Sequence, residues 1–453
     1  MSKRLTLIHQ TREAAASLDP GSAQQARARI NDLPALDFSL MSTNTLRSSY
    51  LHPARLIIVL AIAPAIGLGM CRFAYAPVLP DMLDSLGWSY SVAGFMNTIN
   101  AAGYLAGALG ANAMIRRLGL FHSVRIGTAA CVLSLFLSAL TGQVIIFSIA
   151  RLLSGIAAAL AFIAGGALAS NVAQAQPQRQ SFYLSLFYIG PAAGILISGV
   201  VSPLLLGWFG PGSWWIVWAA LAAISSLMAL VLLLARVAEP TTQAAGAAGG
   251  IGIHSLGLYL IGYGLFGAGY IAYMTFMVAY VRNAGGGELA QGTFWACIGI
   301  GAIAQPWVWG SLMARARSGR VTALLIAITA FGALIPLTGT SPFILATSAL
   351  VFGNAFFAVG SSTIAFARLN FRPEAWPKAI ALMTVSFGIG QTLGPIAIGA
   401  ITDTMNLSYG LNVSAAVLVA GVAACLAYAA FRRAPRPATR ITGLCPTHTR
   451  WRV

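Results

Sequence analysis

Twelve apolar runs, each long enough to cross a bilayer, leave this chain little choice of fold. A spanning helix needs about 20 predominantly apolar residues, and in hydrocarbon a lone segment satisfies its own backbone only as a helix. Runs of that length fall at 55–80, 89–114, 121–140, 143–173, 180–206, 212–235, 253–281, 289–313, 320–339, 341–366, 376–401 and 409–431. Charged residues make up only 8% of the chain, against about 25% in soluble domains. The expectation is an all-α polytopic membrane protein with twelve transmembrane helices.

Lys and Arg then fix an orientation through the positive-inside rule. With the N-terminus placed in the cytoplasm, Arg282 alone falls on the outer side, and Arg72 and Arg151 fall inside spans. All the remaining Lys and Arg, of 27 in total, fall on the cytoplasmic side. Both termini are therefore expected in the cytoplasm, with the chain in the plasma (inner) membrane. The net charge of +17 would suggest nucleic acid in a soluble protein. Here it follows from topology and attraction to the lipid bilayer, and no nucleic-acid partner is expected.

Composition divides the chain further. Residues 1–54 read as a polar, disordered cytoplasmic tail, with Met41 a second candidate start and no apolar region for a cleavable signal peptide. The stretch 236–252 is rich in Gly and Ala and reads as a flexible cytoplasmic linker. It separates a six-helix half at 55–235 from a second at 253–432, and 433–453 form a C-terminal tail. The halves repeat: the fifth span of each holds a Gly-Pro pair, at Gly190–Pro191 and Gly394–Pro395, followed by Gly194 and Gly399. Parallel repeats joined by a linker suggest a secondary transporter with its site near the midplane, between the halves. These glycines and prolines are expected to act in packing and as hinges.

The loop after span 2, N-A-M-I-R-R-L-G from Asn112, and its counterpart after span 8 resemble the short basic loops of the major facilitator superfamily. Arg116 stands where that family usually has Asp, and Ala314 replaces the acid of the second copy. Arg116, Arg117 and Arg315 are the gate-loop candidates that the resemblance implies. Arg151 begins R-L-L-S-G, similar to an Arg-x-x-x-Gly element linked in the family to coupling or substrate. The string G-L-G-M-C-R-F-A-Y-A-P-V-L-P, Gly67 to Pro80, resembles the first span of the YbfB/YjiJ-type branch. The resemblance implies transport by alternating access.

Arg72 and Arg151 are the residues most in need of explanation. A charge at mid-bilayer costs about 2.5–3.5 kcal/mol on insertion scales and marks a functional site or a buried pair. All ten Asp and Glu fall in tails, loops or span ends, so the spans hold no carboxylate relay. Two buried cations without a buried acid favour an anionic solute. Arg72, Tyr75 and Asn100 are expected on one side of the site, with Arg151 assisting. Phe266 and Tyr270 come from a stripe of span 7 (Tyr259, Tyr263, Phe266, Tyr270, Tyr273) that falls on one helical face. Tyr270 and Tyr273 are expected to line the opposite wall, with Asn354 of span 10 as a further contact. Each has an ordinary structural alternative: snorkelling for the arginines, packing for the stripe, helix glue for the amides.

No phosphate-binding loop, metal-spaced His or Cys cluster, or Ser-His-acid set occurs in the sequence, so neither enzyme activity, cofactor nor metal is expected. The expected function is secondary transport of a small organic anion, with protons or a counter-anion, by a monomer. The alternatives are an exporter of hydrophobic or cationic compounds and, from another class, a non-transporting membrane sensor of the same fold.

Overall fold

The structure, a computed structural model, describes residues 52–174, 179–235, 237, 256–313, 315–372 and 375–431. Residues 1–51, most of the 236–252 linker, Ala314 and everything from 432 onward lie outside the described residues. Each of the twelve apolar runs forms a helix. The first half comprises α1 (Pro53–Leu86), α2 (Tyr90–Leu118), α3 (Leu120–Leu140), α4 (Val144–Gln174), α5 (Gln180–Phe209) and α6 (Trp214–Leu234). The second comprises α7 (Gly257–Asn283), α8 (Glu288–Met313), α9 (Arg320–Thr338, with a 3₁₀ last turn), α10 (Pro342–Asn370), α11 (Trp376–Thr404) and α12 (Leu407–Phe431).

Eleven of these are apolar enough over 18 residues to cross a membrane on composition alone. The exception is α2, which carries Asn97, Thr98, Asn100 and Asn112 before Arg116 and Arg117. Asn97 and Asn100 are buried against other helices, while Asn112, Arg116 and Arg117 near its end are exposed. Local signals set the helix ends. Ser89 caps α2 by accepting from Val92 N–H at 3.2 Å, and Ser341 caps α10 ahead of Pro342.

The two halves repeat their packing. In the first, a Cβ on Gly194 would meet the Ala65 carbonyl and the Gly69 Cα of α1. In the second, a Cβ on Gly394 would meet the carbonyl and Cα of Ala268 in α7. Small residues four apart, Gly190/Gly194 and Gly390/Gly394, thus let the fifth helix of each half press its backbone on the first. Between halves, α2 packs on α11 and α5 on α8.

α1 is not a uniform helix. Ala65–Phe73 winds as a π-helix, closing with Ala74 N–H donating to Gly69 C=O, five residues back, at 3.1 Å. Pro64 lies at its start without an N–H to donate, and Gly67 and Gly69 add backbone freedom. A π-turn inside an α-helix costs hydrogen-bond geometry and frequently marks a functional site. Arg72 lies in its last turn.

Candidate functional site

A cavity of about 460 Å³ lies between the halves. Residues of α1, α2, α4, α5, α7, α10 and α11 line it. Arg72 and Gln391 lie in its wall. At the other extreme it reaches Asn112, Ile364 and Ile380. These lie within about two turns of the bundle end where α1 begins, here termed the terminal end.

The opposite end is closed by bonds between the halves. Both carboxylate oxygens of Asp403, near the end of α11, accept backbone N–H bonds at the start of α2, from Tyr90 and Ser91 at 2.8 Å each. Arg282, at the end of α7, donates to Pro80 C=O at 2.5 Å and pairs with Asp84 of α1. Deeper in, Asn97 donates to Thr275 at 2.6 Å and Thr98 to Thr392 C=O at 2.6 Å. The cavity is therefore open at the terminal end and shut at the other.

Arg72 is only 4% exposed, and no carboxylate answers it among the described residues. Its guanidinium donates to Gln391 Oε1, lies 5.3 Å from the Tyr104 ring centroid and 5.8 Å from that of Phe73. Tyr270 O–H donates to the same Gln391 oxygen at 3.1 Å. Arginine can only donate, so the amide orientation is fixed with oxygen toward Arg72. Gln391 Nε2 is left buried without an acceptor.

Aromatic rings form one wall. Tyr263, Phe266 and Tyr270 of α7 succeed one another with interplanar angles of 8° and 15°. Phe387 of α11 stacks on Tyr263 at 4.9 Å and 16°, and on Tyr270 at 5.6 Å and 12°. Phe356 of α10 continues the set at 5.9 Å and 20° from Tyr270.

Of the site residues expected from sequence, Arg72, Phe266 and Tyr270 line the cavity. Arg151 does not. It is 1% exposed and faces the π-helical turn of α1. Its guanidinium donates to Cys71 C=O at 2.5 Å, to Arg72 C=O at 3.5 Å and to Asn97 Oδ1 at 2.9 Å. Tyr75 lies beneath it, 4.8 Å from guanidinium to ring centroid, and donates to Ala93 C=O. Asn100 donates to Arg151 C=O and to Ser154. The aromatic stripe divides: Tyr273 bonds Ser348 and stacks on Phe352, while Tyr259 bonds Thr322 and stacks on Phe366. Asn354 donates to Gly301 C=O, between α10 and α8. Arg116, Arg117 and Arg315 are exposed at the terminal end.

Gln391, Phe387 and Phe356 complete the cavity wall, and an amide in an apolar span carries no signal that singles it out. Sequence contained no signal for the rings, since phenylalanine in an apolar span is ordinary. Asp81 and Asp403 both hold helix N-termini. Asp81 accepts from Gly212 and Trp214 N–H at 2.7 and 2.8 Å.

Two six-helix halves around a central cavity, closed at one end and open at the other, define a membrane transporter of the alternating-access kind. The chain belongs to the major facilitator superfamily, in the family described as "Uncharacterised MFS-type transporter YbfB", whose model matches residues 64–426. Among solved structures, nucleoside transporter NupG is similar with a TM-score of 0.64 and 14% identity, covering 84% of this chain and 98% of that one. A bacterial homologue of the human lysosomal transporter Spinster, solved inward-facing and unoccupied, has a TM-score of 0.60 at 13% identity, covering 84% and 96%. At these identities the likeness is one of fold. No curated protein matches the chain.

Proposed function

We propose that the protein carries a small organic anion across the inner membrane by alternating access. The terminal end faces the cytoplasm, and the conformation described above is the inward-facing one. The observation that carries the reading is Arg72, a cation in the cavity wall with no carboxylate partner among the described residues. An unpaired charge in that position is expensive, and an anionic solute removes the cost by pairing with it. Positive-inside orientation supports the cytoplasmic assignment. Protons or a counter-anion complete the cycle. No Asp or Glu lines the cavity among the described residues, so a co-transported proton would travel on the substrate.

The aromatic wall favours a second reading, export of hydrophobic cations, because such rings attract cations. Arg72 opposes it by direct repulsion. Uptake of carboxylates into proteoliposomes holding the purified protein separates the two. Arg72→Gln is expected to lower carboxylate flux at least tenfold, the scale of one lost hydrogen bond to a charged group. Wild-type flux in that variant would refute the anion reading.

A further inference from the structure

We infer that the substrate is a planar aromatic monocarboxylate, an inference that rests on the organic-anion reading above and narrows it. Three features of the cavity combine.

The first concerns the charged group. Arg72 and Gln391 Nε2 are neighbouring donors in one wall, joined through the Arg72–Gln391 Oε1 bond. The amide oxygen is already occupied by Arg72 and Tyr270, which leaves Nε2 the buried donor without an acceptor. A carboxylate has two oxygens on one carbon. Seated on Arg72, it offers one to the guanidinium and the other to Nε2. A halide or an alcohol has a single such atom to share between the two donors.

The second concerns number. Arg72 is the sole Lys, Arg, His, Asp or Glu among the described residues of the cavity lining. One buried cation neutralises one carboxylate. A dicarboxylate would bring a second charge into a wall whose other described polar groups, among them Asn112, Ser361 and Thr384, are neutral.

The third concerns the body of the molecule. Tyr263, Phe266, Tyr270, Phe387 and Phe356 hold their planes within about 20° of their stacked neighbours. Their centroids are 4.9–6.0 Å apart, the range of offset stacking. A flat ring laid parallel to this set extends the stack. A puckered aliphatic ring meets the set only at its hydrogens. The rings lie next to the Arg72 and Gln391 donors through Tyr270, so a carboxylate attached directly to a ring, or one carbon away, satisfies both. A volume of 460 Å³ falls in the usual ligand-site range of about 300–1,000 Å³ and accepts one or two fused rings.

The test is ligand binding to the purified full-length protein, read as thermal stabilisation across a concentration series. The probes are benzoate, 1-naphthoate, cyclohexanecarboxylate, phthalate, benzamide and benzyltrimethylammonium. Benzoate and naphthoate should bind, with cyclohexanecarboxylate about tenfold weaker, the upper end of one ring-on-ring contact. Phthalate should bind more weakly than benzoate, and benzamide should give no shift. Phe387→Leu should shrink the ratio of benzoate to cyclohexanecarboxylate. Equal binding of the two carboxylates in the wild type would overturn the aromatic inference and leave the organic-anion reading intact. Silence of every carboxylate at millimolar concentration, with or without a shift from the quaternary amine, would overturn both.

Discussion

At the scale of single residues, the site turns on one charge and its amide neighbour. Arg72 donates a hydrogen bond to Gln391 but meets no countercharge among the described residues. Gln391→Glu places a carboxylate where the amide oxygen now accepts, and the new ion pair does internally what the solute does in the wild type. Binding of benzoate should fall roughly tenfold to a hundredfold, the range for a lost bond to a charged group. Fold stability should be unchanged or higher, because the buried cation is then paired. Titration of the purified variant, with its melting temperature measured alongside, checks both parts. Tight benzoate binding by Gln391→Glu would mean that Arg72 is not the group that holds the anion. Arg72 itself was legible in the sequence, because a lone cation in an apolar run is costly wherever it faces. Gln391 was not separable from Asn354, since both are amides in apolar spans. Only tertiary contact distinguishes them: Asn354 spends its amide N–H on Gly301 C=O, whereas Gln391 Nε2 is buried without an acceptor beside Arg72.

At the scale of elements, α1 explains why two arginines that look alike in sequence do different things. The π-turn of Ala65–Phe73 shifts helical register, so Tyr75, three residues past Arg72, turns away from the cavity toward Ala93. Arg151 of α4 takes up the carbonyls of Cys71 and Arg72 at that turn. It thus holds the turn that carries Arg72 from outside the cavity lining, and Asn97 relays it to Thr275 of the second half. Arg151→Lys keeps the charge and loses the planar fork that reaches three acceptors at once. Transport should drop at least tenfold although Arg72 and all cavity-lining residues are retained, and Arg151→Gln should do no better. Flux assays in proteoliposomes decide it. Normal flux in Arg151→Lys would mean that the turn holds itself. Helix glycines give a second check. Gly194→Ala and Gly394→Ala drive a methyl into neighbouring backbone and should cost about 1–3 kcal/mol each, while Gly207→Ala meets open space and should be neutral. Melting temperatures in detergent suffice. Sequence registered the Gly-Pro repeat and the twelve spans, because both are written in composition and spacing. It could not register the rotation of each helix, which a π-turn alters within a single element.

At the scale of the whole molecule, the distribution of acids sets which end is held shut. The family's acidic gate positions are occupied by Arg116 and by Ala314 in this chain. Asp84 and Asp403 instead join the halves at the end opposite the termini. The described conformation is therefore favoured by latches on its closed side, and the basic loops at the open side have no ion pair among the described residues. Asp403 contributes as an anion at the N-terminus of α2, an interaction worth about 0.3–1 kcal/mol at an exposed site. Removing its charge should raise the population of the alternative, oppositely open state by about two- to fivefold. The measurement is a distance distribution between spin labels at Ser85→Cys and Ser408→Cys, one on each half at the latched end, with the native cysteines replaced. Asp403→Asn should add weight at longer distances, and Arg282→Ala should add more, since it also frees Pro80 C=O and Asp84. The two changes break separate contacts and should combine additively in free energy. An aryl carboxylate that closes the cavity from the open side should move the distribution the same way in the wild type. An unchanged distribution in the double variant would place the restraint elsewhere, in the Asn97–Thr275 and Thr98–Thr392 bonds deeper between the halves. The conformational preference would then belong to the packing of α2 on α7 and α11 rather than to charge.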